Sequence, residues 1–200
     1  MRMFVWRTML KRIIAIALIY LFAAPVMATT VDEVCAFLTE RKATTGDFAQ
    51  EKTAKALKRP LKSSGTFRID EAGIEWRTVK PFKSVMKVEK TKITQIGADG
   101  KENIIEAGSN QVFQSVAQMM SAVFSGDKSA LEDAFFVDFA DEGEMCILSM
   151  KPKDKTIQSA ISSIDMRVDC VKKEMRSVLV TQANGDTILY TFSNQLHPSF

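Results

Sequence analysis

Residues 64–79, S-G-T-F-R-I-D-E-A-G-I-E-W-R-T-V, carry the two-residue period that decides the fold. In Ser64–Asp70 the side chains of Phe67 and Ile69 fall on one face and those of Thr66 and Arg68 on the other, as a half-buried strand requires. Glu71-Ala72-Gly73 turns the chain, after which Ile74, Trp76 and Thr78 share a face opposite Glu75, Arg77 and Val79. Working outward, Phe48 opens a strand that runs to about Ala54. Beyond Pro81, Val85–Glu89 resumes the alternation, and Lys92–Ile96 pairs with the next strand across Ala98-Asp99-Gly100. Asp-Gly between apolar runs is a strong hairpin signal. Further strands are expected at Phe135–Asp141, Met145–Lys151, Ala160–Asp169, Glu174–Gln182 and Thr187–Ser193. Their turns fall at Glu142-Gly143, Lys153-Asp154-Lys155 and Asn184-Gly185.

Two segments change the period to that of a helix. Val31, Val34, Cys35 and Leu38 recur at helical spacing within Val31–Lys42, and Gly46 is expected to stop that helix. Asn110–Ser125 contains no charge, yet Val112, Phe113, Val116, Met119, Met120, Val123 and Phe124 fall on one stripe. A shorter helical turn is expected at Lys128–Asp133. Strands and helices do not alternate, so a parallel nucleotide-binding sheet is unsupported. The expected fold is α+β and mainly β: a single curved antiparallel sheet, or half-open β-barrel, with helices covering its concave face as a lid.

The chain has 200 residues, 46% hydrophobic and 26% charged, the balance of one globular domain and not of a disordered or multi-span chain. Its formal charge of +3 is misleading about partners. Arg2, Arg7, Lys11 and Arg12 stand in the first 28 residues, where there is no acid. Setting those four aside leaves 23 basic against 24 acidic side chains, so a broad nucleic-acid surface loses its support.

Those cations precede the uncharged run Ile13–Ala24, a Pro25 break and the small-residue pattern Val26-Met27-Ala28. The pattern is that of a secretory signal peptide cleaved after Ala28. An uncleaved anchor is the other reading, but the run is short against the roughly 20 residues of a spanning helix. The expected organisation is a signal peptide at 1–28, one domain at 29–200, and export to a periplasm.

Three cysteines remain after the leader, Cys35, Cys146 and Cys170, which in an oxidising compartment allow one bridge and a spare thiol, or none. Cys146 begins one expected strand and Cys170 ends the next, so antiparallel pairing brings them together and leaves Cys35 as a buried thiol. Such a bridge contributes about 3 kcal/mol in the chain-entropy model. The chain has one histidine, His197, which excludes a multi-histidine metal centre. No P-loop, nucleophile-elbow, H-E-x-x-H or EF-hand spacing occurs. Asp138, Asp141, Glu142 and Glu144 read as a solvated turn rather than a calcium or acid–base site. No catalytic residue, metal or cofactor is expected.

Three ordered segments resemble a known family: G-D-F-A-Q-E-K at 46–52, R-P-L-K-S-S-G-T-F-R-I at 59–69 and G-I-E-W-R-T-V-K-P-F at 73–82. Together with K-P-K-D at 151–154 and G-D-T-I-L-Y-T-F-S-N at 185–194, they resemble the LolA-like outer-membrane lipoprotein carriers. In that family F-x-Q precedes a G-x-F strand and a W-x-x-x-x-P strand. The resemblance implies a half-open barrel whose apolar cavity carries lipoprotein acyl chains from the inner to the outer membrane. It also implies an arginine before a proline, about six residues ahead of the tryptophan, that holds the lid closed. Asp70 stands at that spacing here, and Arg68 is the nearest arginine.

On this basis the expected function is a monomeric periplasmic carrier that shields acyl chains of lipoproteins or lipids. Its partners would be an inner-membrane donor complex and an outer-membrane acceptor, with no nucleic acid. A regulatory or lipid-sensing domain on the same barrel, and an enzyme acting on an envelope lipid, are the competing readings. The expected cavity and lid residues are Phe48, Phe67, Ile69, Trp76, Met86, Val88, Phe113, Val116, Met119, Met120 and Val123, which would otherwise simply fill a core. Lys55, Lys58, Arg59 and Lys62 read either as an entry rim for anionic headgroups or as a solvated connecting loop.

Overall fold

The computed structural model describes residues 29–40, 43–89, 91–106 and 127–197. Within them the chain forms one 11-stranded antiparallel sheet in the order β6-β5-β4-β3-β2-β1-β11-β10-β9-β8-β7. The first group is β1 (Thr44–Thr53), β2 (Leu61–Asp70), β3 (Gly73–Lys80), β4 (Ser84–Val88), β5 (Lys92–Ile96) and β6 (Glu102–Glu106). The second is β7 (Phe135–Asp141), β8 (Met145–Pro152), β9 (Ile161–Asp169), β10 (Glu174–Gln182) and β11 (Thr187–Leu196). Each group is a meander of sequential hairpins, and the two are joined by β1 lying against β11, from Thr45 opposite Leu196 to Thr53 opposite Thr187. The edges are therefore β6 and β7. Residues 107–126, which link those edges along the chain, include the uncharged stretch 110–125; that expected helix lies outside the described residues.

Three helices are described: α1 (Val31–Glu40), α2 (Lys128–Ala134) and α3 (Lys155–Gln158). Thr30 and Glu33 begin α1 reciprocally. The Glu33 N–H donates to Thr30 Oγ1 at 3.3 Å and the Thr30 N–H donates to Glu33 Oε2 at 3.0 Å, a capping box. The helix then turns Val34, Cys35 and Phe37 into the core. Lys128 on α2 meets Asp32 on α1 at 2.5 Å, tying the two helices together.

Most expected strands fall where the period places them; β2 begins at Leu61 and not at Ser64, and there are three further differences. β1 begins at Thr44 and not at Phe48, so Gly46 is a strand residue and not a helix stop. A Cβ at Gly46 would lie 2.8 Å from Phe67 Cε1, so the bare glycine makes room for that ring. β11 continues to Leu196. The expected turn at Lys153-Asp154-Lys155 is instead the start of α3, because the Asp154 carboxylate accepts the N–H groups of Thr156 (2.7 Å) and Ile157 (3.1 Å). These bonds satisfy orphan donors of the first turn and hold the Asp154 carboxyl below its ordinary pKa.

Candidate functional site: the concave face of the sheet

Antiparallel partners point to the same face, so the register alone traces one continuous surface across the molecule. From Trp76 it runs through Met86 on β4 in one direction. In the other it crosses Phe67, Phe48 and Phe192, Tyr190 and Val178, Met166, Leu148 and Phe139. It is flanked on one side by Ile74 and Val88 with Ile93, and on the other by Val180 with Ile164 and Met150 with Val137. These residues form one apolar cluster with Val34, Cys35 and Phe37 of α1.

Its centre is aromatic. Trp76 lies 5.1 Å from Phe48, 5.8 Å from Phe67, 5.5 Å from Tyr190 and 6.0 Å from Phe192, ring centre to ring centre. Phe67 and Phe192 meet edge to face at 5.2 Å. Tilted and edge-on pairs at these distances are the favoured arrangements of rings with a negative face and a positive rim. Burial pushes the Tyr190 hydroxyl above its ordinary pKa, so it stays neutral among the rings.

Of the residues singled out from sequence, Phe48, Phe67, Trp76 and Val88 are buried in this cluster. Ile69 and Met86 are partly buried and packed against it. Phe113, Val116, Met119, Met120 and Val123 lie outside the described residues. Tyr190 and Phe192 were missed, although the alternation of Ile188, Tyr190 and Phe192 in G-D-T-I-L-Y-T-F was visible; only the β1–β11 pairing sets them beside Trp76.

A crevice of about 30 Å³ opens at one end of the cluster, lined by Leu38, Phe67, Ile69, Met175 and Phe192, with Thr44 and His197 at its polar side. Thr44 Oγ1 and His197 Nδ1 are 3.0 Å apart. That space suits a water molecule and is too small for an acyl chain. Arg68 takes no part in the concave face. It projects with Thr66 to the opposite side, pairs with Asp70 at 2.6 Å and lines a charged groove of about 260 Å³ with Glu75, Lys87 and Glu89. There Glu75 accepts from Arg77 at 2.7 Å, which with Lys87 holds its carboxyl below its ordinary pKa.

Cys146 and Cys170 are bonded, their Cα atoms 6.1 Å apart, at the end of the β8–β9 pair. Cys35 is a buried free thiol, its pKa raised first by burial and then by Asp32. At the same end Asp169 accepts the Lys172 N–H at 2.8 Å and pairs with Arg176 at 2.7 Å. Asp141 accepts the N–H groups of Thr29 (2.7 Å) and Gly143 (2.8 Å), so it organises its own turn. Among the described residues, no cluster of His, Cys, Asp and Glu has the arrangement of a metal site. Nor is any described helix long and apolar enough to cross a membrane.

The family model for the outer membrane lipoprotein carrier protein LolA matches residues 39–199. The chain belongs to the LolA family. Solved structures similar to this LolA-family chain include a LolA superfamily protein from Nitrosomonas europaea, 7% identical, with 86% of this chain and 96% of that one covered and a TM-score of 0.45. The MucA/MucB complex of Pseudomonas aeruginosa matches at 13% identity, 84% and 58% coverage and a TM-score of 0.46; the chain thus spans just over half of that protein. A DUF1329 family protein from Desulfovibrio piger matches at 12% identity, 84% and 91% coverage and a TM-score of 0.42. No curated protein matches the sequence.

Proposed function

We propose that this LolA-family chain is a periplasmic carrier that shields acyl chains of lipoproteins or lipids between the inner and the outer membrane. The observation that supports this reading is the apolar concave face with Trp76 at its centre, on which Lys52, opposite Leu61 and Ile188, stands at the rim. Acyl chains offer neither donors nor acceptors, so a surface that holds them needs area and shape rather than polar anchors. The sulfur-containing side chains Met86, Met150 and Met166 on that face adapt to flexible apolar ligands. The uncharged stretch 110–125, with Phe113, Val116, Met119, Met120 and Val123 on its apolar stripe, supplies the cover in this proposal. Because Arg68 faces away, the cover is held by apolar contact and not by the arginine of the family pattern. The signal peptide, residues 1–28, directs export and leaves 29–200 as a monomeric carrier domain. It serves an inner-membrane donor complex and an outer-membrane acceptor.

Native mass spectrometry of protein purified without detergent tests the proposal. Discrete mass increments matching acylated species are expected. Turnover of added lipid would replace the carrier by an envelope-lipid enzyme. An empty barrel that retains a protein partner would replace it by a regulatory domain.

A further inference from the structure

One end of the sheet combines two features that the concave face does not explain. The β1–β2 connection and the start of β2, residues 52–62, carry Lys52, Lys55, Lys58, Arg59 and Lys62 and no acid. The β3–β4 connection at the same end of the sheet, residues 79–83, adds Lys80 and Lys83, again without an acid. Antiparallel pairing makes these segments neighbours, since Ser64 on β2 stands opposite Lys80 on β3 and Lys52 on β1 opposite Leu61 on β2. Large apolar side chains stand exposed among the cations: Leu57, Leu61, Val79 and, most of all, Phe82, which is 76% exposed. The β5–β6 hairpin at the same end brings Asp99, paired with Lys101, and Glu102, opposite Ile96. Glu51 pairs with Lys62 at 3.0 Å, and the Asp186 carboxylate accepts the Lys55 backbone N–H at 3.1 Å.

The charge is strongly one-sided. After the first 28 residues there are 23 basic and 24 acidic side chains, and seven of the 23 lie in these two short segments. The other 16 basic side chains are outnumbered by the 24 acids. A negatively charged plane therefore attracts this end and repels the rest, which orients the molecule as well as binding it.

We infer that this end docks on the surface of an anionic phospholipid bilayer, the cations on the headgroups and Phe82, Leu61 and Leu57 in the interface. Cations alone suit any polyanion. Exposed apolar side chains set between them suit a surface with charge outside and hydrocarbon just beneath. Leu61 has the face parity of Phe67 and Ile69, so the docked end is also the rim of the apolar concave face. The inference concerns the outer rim and stands apart from the cargo reading.

The test uses protein purified without detergent from the soluble fraction, its N-terminus sequenced to establish that the leader is absent. Co-sedimentation is measured with vesicles of phosphatidylethanolamine and phosphatidylglycerol, 7:3, and with vesicles of phosphatidylcholine. Binding to the anionic vesicles alone, weakened by raising salt from about 20 to about 300 mM, is expected because the Debye length falls from tens of ångströms to a few. Each cation at an anionic leaflet strengthens binding about fivefold. Lys55→Gln with Lys58→Gln and Arg59→Gln should therefore weaken binding about a hundredfold, and Phe82→Ser about tenfold. All these side chains are exposed, so the circular dichroism of the variants should equal that of the parent. Uptake of a lipophilic dye in the absence of vesicles should also be unchanged, which separates failure of docking from failure of the carrier reading. No sedimentation with the anionic vesicles at low salt, equal sedimentation with both, or full binding by the triple variant overturns the inference. Binding to an acidic protein without vesicle binding would assign the patch to a protein partner instead.

Discussion

Phe48 on β1 and Trp76 on β3 lie 5.1 Å apart, ring centre to ring centre, although β2 runs between their strands. Neighbouring strands are about 4.8 Å apart, so both rings must lean over β2 to meet. Gly65 is the β2 residue opposite both Phe48 and Thr78, and it has no side chain to keep the rings apart. The G-x-F element thus has a physical reason: at Gly65 the β3 backbone at Arg77 comes too close for a side chain, and Phe67, two residues on, stacks on Trp76 beside it.

Gly65→Ala should destabilise the domain sharply. The added Cβ would sit 1.9 Å from the carbonyl oxygen of Arg77, a backbone atom that cannot swing aside. Overpacking of this kind costs about 1–3 kcal/mol, and backbone against backbone belongs at the upper end. Urea denaturation should show the midpoint falling; an unchanged midpoint would refute the account.

Trp76 and Trp6 are the two tryptophans, so protein from which residues 1–28 have been removed has Trp76 as its sole indole fluorophore. In the carrier reading an acyl chain passes within a few ångströms of it. A nitroxide-labelled fatty acid should quench its emission saturably, whereas a water-soluble nitroxide should not. Quenching by both alike, or by neither, would place the cargo elsewhere.

Met119→Glu with Met120→Glu tests the cover. Both residues lie outside the described part of the chain, and the prediction rests on the apolar stripe in the sequence. Burying a carboxylate costs several kcal/mol unless it reaches water. A movable cover can reach it by swinging out. The double variant should therefore keep its strand signal in circular dichroism and lose binding of a lipophilic dye. Loss of the strand signal would make the segment an ordinary core helix.

Thiol titration of denatured, unreduced protein should find one reactive cysteine, Cys35, since Cys146 and Cys170 are bonded. In the native state that thiol should be unreactive, because it is buried and its pKa is raised. Reducing the bond removes a cross-link worth about 3 kcal/mol in the chain-entropy model. Three reactive thiols without reductant would rule out the pairing.

Asp169 should shape the acid limb of stability. The Lys172 N–H and the Arg176 guanidinium hold its carboxyl below the ordinary value. A carboxyl with a lowered folded-state pKa contributes stability above its unfolded value, near 4, and loses it as pH falls toward the folded value. Asp169→Asn should therefore lower the melting temperature at pH 6 and flatten its fall below about pH 4. A parallel fall in both proteins would assign the acid limb to other groups.

Local pattern sufficed where one physical period governed a segment. Phe67, Ile69, Ile74 and Trp76 alternate cleanly, so each strand and its apolar face were legible before any pairing was known. The same holds for the hairpin at Asp99-Gly100 and for α1, marked by the helical spacing of Val31, Val34, Cys35 and Leu38. The capping role of Asp154 was not recognised, because a four-residue helix carries too little periodicity to separate it from a turn.

The pairings between distant segments were decided only by the tertiary structure. Alternation assigns a face to Tyr190 and Phe192 but does not say which strand lies beside theirs, and β1 against β11 joins residues about 140 positions apart. That one pairing brings Tyr190 and Phe192 to Trp76 and turns two meanders into a single curved surface. It likewise decided the fate of Gly46, a plausible helix stop in the linear chain and a cradle for the Phe67 ring in the folded one. The sequence by itself determined the strands, their apolar faces, the family pattern and the one-sided charge of residues 52–62 and 79–83. Which faces meet, and that the two basic segments share one end of the sheet, followed from long-range register, which depends on the fit of whole faces and not on any local preference.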